Sequence, residues 1–449
     1  MLKQTIKIFL FILILGHFSL SCLAKQDYSE QKSIESYINK LWWQKFNDPV
    51  LLEYILKAAN NNKDIKISTL KIAEARAKVS ETFGKELPQV TTLGSYTRIK
   101  PPGAKAGQNQ GYKNLFTIPV LASYEVDLWQ KNRNATQQDE QRLEITKQND
   151  RTNYITVTTE TASAYFNILK LDKLICLQKE LLCLTNQDQV IKKSTYDAGL
   201  IPCNDVVLSA KNSKEASIQL KNYEKQLEIF INELYVLTGE SPEGTRCLTR
   251  KSIDELCLLT DIPCEIPSTK ILNRPDILTA EDNLKIAKID VSLARKDFLP
   301  NIYVYGLATY DSAKVFNLNR VWGATGATAI QKIFTGGQRR ATLKGKKFSY
   351  EEMLRNYEKT ILTSLQEVNN SMVYLKNDVT ANNDYLDKLA FEVTNLNLLD
   401  KNYQTGLISY LDTIQSRMTV IQLQQQQIQS KTDCLIDSLN LYKALAGQL

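Results

Sequence analysis

The chain has 449 residues, with 56 Lys and Arg against 49 Asp and Glu for a net charge of +7; that surplus is small, and no basic face interleaves with aromatics as a nucleic-acid surface would require. Gly (17) and Pro (11) are few and clustered, so a length that would suit about three domains of ~150 residues points instead to long helices. The one histidine, His17, lies in an N-terminal signal, which excludes a His-based general base or a Ser-His-Asp triad, and the acids sit in helical charge patterns without a Gly-rich phosphate loop, so no enzyme chemistry, cofactor or metal site is expected.

At the N-terminus Lys3 and Lys7 precede an apolar run from Ile8 to Leu15, too short to span a bilayer as a helix. This reads as a secretory signal peptide over 1–21. Ser19-Leu20-Ser21-Cys22 resembles a lipobox, which makes Cys22 the favoured lipidation site and 22–48 a lipid-anchored segment; Cys22-Leu23-Ala24 also reads as an ordinary cleavage site. No later run of about 18 to 20 apolar residues predicts a transmembrane helix, so membrane contact must come from lipid or from β-strands.

The next predicted element is a helix from Pro49 to Glu86, stopped at Leu87-Pro88 because proline cannot continue it. Strand candidates follow at Gln89 to Arg98 and Leu115 to Leu128, the second with Phe116, Ile118, Val120, Ala122, Tyr124 and Val126 alternating on one face. Lys100-Pro101-Pro102-Gly103 through Gly111 reads as an exposed loop. Each strand pair has membrane-spanning length. A helix from Lys131 to Asp197 would extend about 100 Å at 1.5 Å per residue, and a return helix runs from Asn204 to Thr238. Cys176 and Cys183 fall in the seven-residue series Ile155, Ala162, Leu169, Cys176, Cys183, Val190, and read as small apolar seam residues; Cys434 reads similarly. The connector 246–270 holds Cys247, Cys257 and Cys264, as a disulfide or as free thiols; zinc is disfavoured by the lack of a C-x-x-C pair and of histidine. The second half repeats the order: strands Asn301 to Thr309 and Val321 to Phe334, a helix from Gln338 to Thr405 and a return helix from Ser409 to Ala446. Coiled-coil spacing recurs in Leu354, Ile361, Val368, Leu375 and in Ile414, Ile421, Ile428, Leu435, Tyr442.

The two halves are diverged copies. Leu87-Pro88 aligns with Leu299-Pro300, and Gly199-Leu200-Ile201 with Gly406-Leu407-Ile408, Asp205 with Asp412 and Leu234-Tyr235 with Leu441-Tyr442. The domains are thus a first repeat over 49–245 with strand pair 89–128, the connector 246–270, and a second repeat over 271–449 with strand pair 301–334. Four membrane strands are too few to close a barrel, and an open edge in lipid leaves backbone groups unpaired; three copies would supply an even twelve.

Trp42-Trp43-Gln44-Lys45-Phe46-Asn47-Asp48-Pro49, Asn273-Arg274-Pro275-Asp276-Ile277, Phe334-Thr335-Gly336-Gly337-Gln338-Arg339 and the terminal Leu441-Tyr442-Lys443-Ala444-Leu445-Ala446-Gly447 together resemble the TolC-like outer-membrane efflux protein family. The resemblance covers nearly the whole mature chain. It implies a mainly α protein with a β-barrel part: a homotrimer with a 12-stranded barrel in the outer membrane, attached there by lipid, and a periplasmic tunnel of helical coiled-coil hairpins. It implies an exit duct for small molecules such as drugs, working with a periplasmic adaptor and an inner-membrane pump. Gly199, Leu200, Gly406 and Leu407 would be the adaptor-contacting tips, although Thr195 and Asn402 stand where the family usually has Arg. Asp205 and Asp412 would lie at the tunnel aperture, Asp412 being the better candidate, with helix capping as the structural alternative. A duct for protein secretion and a pore-free adaptor or coiled-coil scaffold are the competing functions.

Overall fold

The computed structural model describes residues 39–99, 112–243, 248–259, 267–312 and 321–447. The signal 1–21, Cys22, Cys247, Cys264 and the loop 100–111 lie outside them.

A short helix α1 (Lys40–Gln44) leads into α2 (Pro49–Asn61). Asp48 starts α2: one carboxylate oxygen accepts from the backbone N–H of Val50 and Leu51, and the other from the Tyr165 hydroxyl at 2.7 Å. The helix expected to run unbroken from Pro49 to Glu86 divides at Asn62, where α3 (Lys63–Gly84) begins. Asn62 has left the helical region, its side-chain oxygen takes the N–H groups of Asp64 and Ile65, and its amide donates to the Leu237 carbonyl. A cap and a distant partner together outweigh continuing the helix.

The first predicted strand is broken into β1 (Gln89–Thr92) and β2 (Ser95–Ile99), both antiparallel to β3 (Lys113–Val126) in one continuous register. The gap falls opposite Pro119, which has no N–H to donate and only accepts, from Leu93 at 3.3 Å. Among the described residues the strands take the antiparallel order β1/β2, β3, β4 (Asn301–Ser312) and β5 (Val321–Ile330), the last ending four residues before the expected Phe334.

The duplication is visible in the helices. After β3 come α4 (Lys131–Asp197, 67 residues) and α5 (Cys203–Leu237, 35 residues). A 3₁₀ turn at Ile253–Glu255 and α6 (Ser268–Leu272) occupy the connector. Then α7 (Pro275–Lys296) matches the 22 residues of α3, and after β5 α8 (Gln338–Gln404) and α9 (Tyr410–Ala444) match the 67 and 35 of α4 and α5. Away from the sheet, α5, α4, α9 and α8 form a four-helix wall in that order; next to the sheet, the wall is α3, α4, α7 and α8.

Seven-residue spacing was a good guide to α9: Ile414, Ile421, Ile428, Leu435 and Tyr442 are all buried. In α4 it fails beyond Leu169. Ile155, Ala162 and Leu169 are buried, but Cys176, Cys183 and Val190 are exposed in the single chain, because an α-helix drifts about 20° per heptad against a strict seven-residue repeat. The buried face passes to Leu177 and Leu181, which pack on Ile414, Met418 and Ile421. Cys434 is buried as expected, and burial beside Asp378, Asp437 and Asp433 pushes its thiol up to about 12. The main core lies where α1 and α2 cover α4 and α9: Trp42 stacks on Tyr442 with ring centroids 4.1 Å apart, and Trp43, Phe46 and Phe166 complete the cluster.

Candidate functional site

The two long hairpins reverse at the same end of the molecule. Each reversal is built the same way: Gly199 (φ +73°) and Gly406 (φ +76°) take the left-handed conformation after the last helical turn. Their N–H groups donate to the carbonyls of Tyr196 and Tyr403, and those of Leu200 and Leu407 to Thr195 and Asn402, at 2.8–3.0 Å. The motif ordinarily folds the residue after glycine back against the helix. Here Leu200 and Leu407 instead stay 76 % and 74 % exposed. The glycines are thus explained by the turn, while two leucines are left projecting from the apex.

The carboxylates expected near the apex differ in environment. Asp412 forms a capping box with Ser409: it accepts from the Ser409 N–H at 3.1 Å, while the serine hydroxyl accepts from the start of α9. Asp205, in the first turn of α5, is half-buried and has no hydrogen-bond or ionic partner for its side chain among the described residues. Between α8 and α9 the Asp400–Arg417 pair at 3.1 Å also stands near the tip.

Further along the same wall lies a carboxyl cluster that spacing along the sequence does not reveal, because its members come from different helices. Asp437 of α9 faces the carboxyl of Asp378 of α8, and burial together with Asp378 and Asp433 pushes Asp437 up to about 6. Burial and Asp378 also raise Asp433, against the opposing pull of Lys170 of α4. Asp378, Asp433, Tyr223 and Tyr385 line a cavity of about 550 Å³ that touches all four helices of the wall.

At the other end the sheet register places Ile118, Val120, Tyr124 and Val126 beside Tyr310, Ala308, Val304 and Ile302, and the last two in turn beside Ala327 and Ala329, with Ser312 and Thr325 as the polar positions on that face. One face is therefore apolar across three strands, as contact with lipid requires. The outer edges, β1/β2 on one side and β5 on the other, have no strand partner among the described residues. No described helix is long and apolar enough to cross a membrane.

Comparison with known proteins agrees with this geometry. The family model described as outer membrane efflux protein matches residues 54–240 and 266–447. The antibiotic efflux pump outer membrane protein ArpC of Pseudomonas putida is 26% identical over 428 residues, covering 90% of this chain and 84% of the relative. The cation efflux system protein CusC of Escherichia coli is 25% identical over 427 residues, covering 92% and 89%. Among solved structures, the Campylobacter jejuni CmeC outer membrane channel superposes with a TM-score of 0.79 at 21% identity, over 91% of this chain and 88% of that one, which establishes a shared fold.

Proposed function

We propose that this chain, which belongs to the outer membrane efflux protein family, works as a trimeric exit duct of a tripartite efflux system. It is an outer-membrane efflux channel; the assembly and its partners are the proposed part. The observation that carries the reading is a four-position sheet, apolar on one face and open at both edges, continuous with two helices of 67 residues. Open edges are not tolerated in hydrocarbon, and pairing β5 of one copy with β1/β2 of the next satisfies both. Three copies give twelve strands, and a 67-residue helix reaches about 100 Å into the periplasm.

The exposed Leu200 and Leu407 at the apices fit an apolar partner surface, which we assign to a periplasmic adaptor linking the duct to an inner-membrane pump. Asp205 and Asp412 then lie close to the tunnel mouth, and Cys22 supplies the lipid anchor. ArpC is named for antibiotics and CusC for cations; for this chain we favour small organic toxicants, because beyond the signal the sequence has only Met353, Met372 and Met418 and no histidine, too few thioether and imidazole ligands for a chelating path. Purified full-length protein in planar bilayers tests the duct: discrete conductance steps from a three-copy assembly are expected, and a non-conducting protein would point to a pore-free scaffold. Deleting the gene and profiling sensitivity to antibiotics, solvents and metal salts tests the cargo.

A further inference from the structure

The segment from β5 into α8 carries a charge that its counterpart in the first copy lacks. Residues 331–347 contain Lys332, Arg339, Arg340, Lys344, Lys346 and Lys347 and no acid. At the offset of the duplication, residues 124–140 contain Lys131 and Arg133 against Glu125, Asp127, Asp139 and Glu140. The first copy provides its own anion: Asp127 accepts from the backbone N–H of Lys131 at 2.5 Å and of Arg133 at 3.0 Å. Phe334 stands in the place of Asp127 in the second copy, and α8 begins with no side-chain cap and no acid in its first turn.

A cavity of about 240 Å³ adjoins that start, lined by Lys131, Asp297, Lys332, Thr335, Arg339 and Thr342 among others. Lys131 and Asp297 pair at 2.9 Å and offset each other. Arg339 lies over the Phe298 ring, 5.9 Å from its centroid, and among the described residues neither Arg339 nor Lys332 has a carboxylate partner. The cavity is therefore net positive. Beside it Ile333 and Phe334 are 97 % and 88 % exposed, so a cationic pocket and a bare apolar pair sit together where strands give way to helices.

We propose that this junction binds an anionic phospholipid of the periplasmic leaflet, with Lys332 and Arg339 on its phosphate and Ile333 and Phe334 against its acyl chains. The proposal rests on the channel reading, which puts the helix-side ends of the strands at the periplasmic surface of the outer membrane. Cations at that depth are drawn to anionic headgroups, and a guanidinium can hold a phosphate through two parallel hydrogen bonds. An aromatic ring at the interface suits the boundary between headgroup and chain. The apolar pair is what distinguishes a lipid from a free phosphate as occupant.

The test uses delipidated full-length protein in detergent, titrated separately with dioleoyl phosphatidylglycerol, dioleoyl phosphatidylcholine and inorganic phosphate, and read by native mass spectrometry. Phosphatidylglycerol is expected to be retained about tenfold more than phosphatidylcholine, and Lys332→Gln with Arg339→Gln to remove that preference. Lys332→Gln alone, at an exposed side chain with no carboxylate partner among the described residues, should lower it if the double variant does not fold. Equal retention of the two lipids, or an unchanged preference in either folded variant, overturns the proposal. Displacement of phosphatidylglycerol by equimolar inorganic phosphate overturns it in favour of a simple anion site. The same wild-type sample is recorded in planar bilayers: conductance without lipid preference defeats this inference alone, whereas absence of conductance defeats the channel reading.

Discussion

Gly199, Gly239 and Gly406 have nearly the same positive φ, +73°, +75° and +76°, yet different surroundings. A Cβ at Gly199 or Gly406 would enter open space, whereas at Gly239 it would lie 2.5 Å from the backbone oxygen of Asn61. Alanine at either tip should cost only the left-handed penalty of about 1–2 kcal/mol, and Gly239→Ala roughly 1–3 kcal/mol more for the clash with rigid backbone; thermal melts of the three variants check the order. At the tip, Asp412→Asn keeps an oxygen for the Ser409 cap while removing charge, so a fall in cation selectivity and in divalent block with an unchanged melting temperature is expected from single-channel recording. If selectivity does not move in the folded variant, Asp412 serves the cap alone. Asp437 provides a pH prediction. Its folded-state value, about 6, is raised above the ordinary carboxylate value of 3.8, so the native state binds this proton more tightly than the unfolded chain and stability rises as pH falls from about 6 towards 4. The groups around it are Asp378, Asp433 and Asn440, and Asp433 in turn faces Lys170 of α4. Melting curves should show the acid-side gain in wild type and lose most of it in Asp437→Asn.

Among the elements, α2 depends on a residue that also ties it to the wall. Asp48 is 3 % exposed; it caps α2 and accepts from Tyr165, whose hydroxyl burial and that carboxylate hold well above the ordinary tyrosine range. Asp48→Ala is expected to cost about 1 kcal/mol for the cap and a further ~1–3 kcal/mol for the orphaned Tyr165 hydroxyl, while Asp48→Asn should recover the cap but not the acceptor for Tyr165; denaturant melts of the two variants give the comparison. The long helices show why local reading succeeds at ends and fails at faces. Their termini are marked by residues whose chemistry is local, as in Asp197-Ala198-Gly199 and Gly337-Gln338, and the expected span Lys131 to Asp197 is the observed one. Which side of α4 is buried beyond Leu169 depends on the drift of a real helix against its neighbour, so Cys176 and Cys183 pointed the wrong way.

For the whole molecule, the proposed trimer predicts that the purified protein forms one three-copy species, and that deleting β5 together with its edge leaves monomers that do not conduct; size-exclusion chromatography with light scattering and bilayer recording check both. If Cys22 is acylated, labelled fatty acid enters the wild type and not Cys22→Ser, and the proposed barrel predicts that the variant still fractionates with the membrane. The duplication, the order of helix and strand and the reversals at Gly199 and Gly406 could be read along the chain, because glycine, proline and side-chain period act over a few residues. The break at Asn62, the gap opposite Pro119 and the meeting of Asp378 with Asp437 could not. Each arises where segments far apart in sequence come within hydrogen-bonding distance, and the energies that decide them, those of burial, of a borrowed carbonyl or of a charge left without a partner, do not exist until the chain has packed.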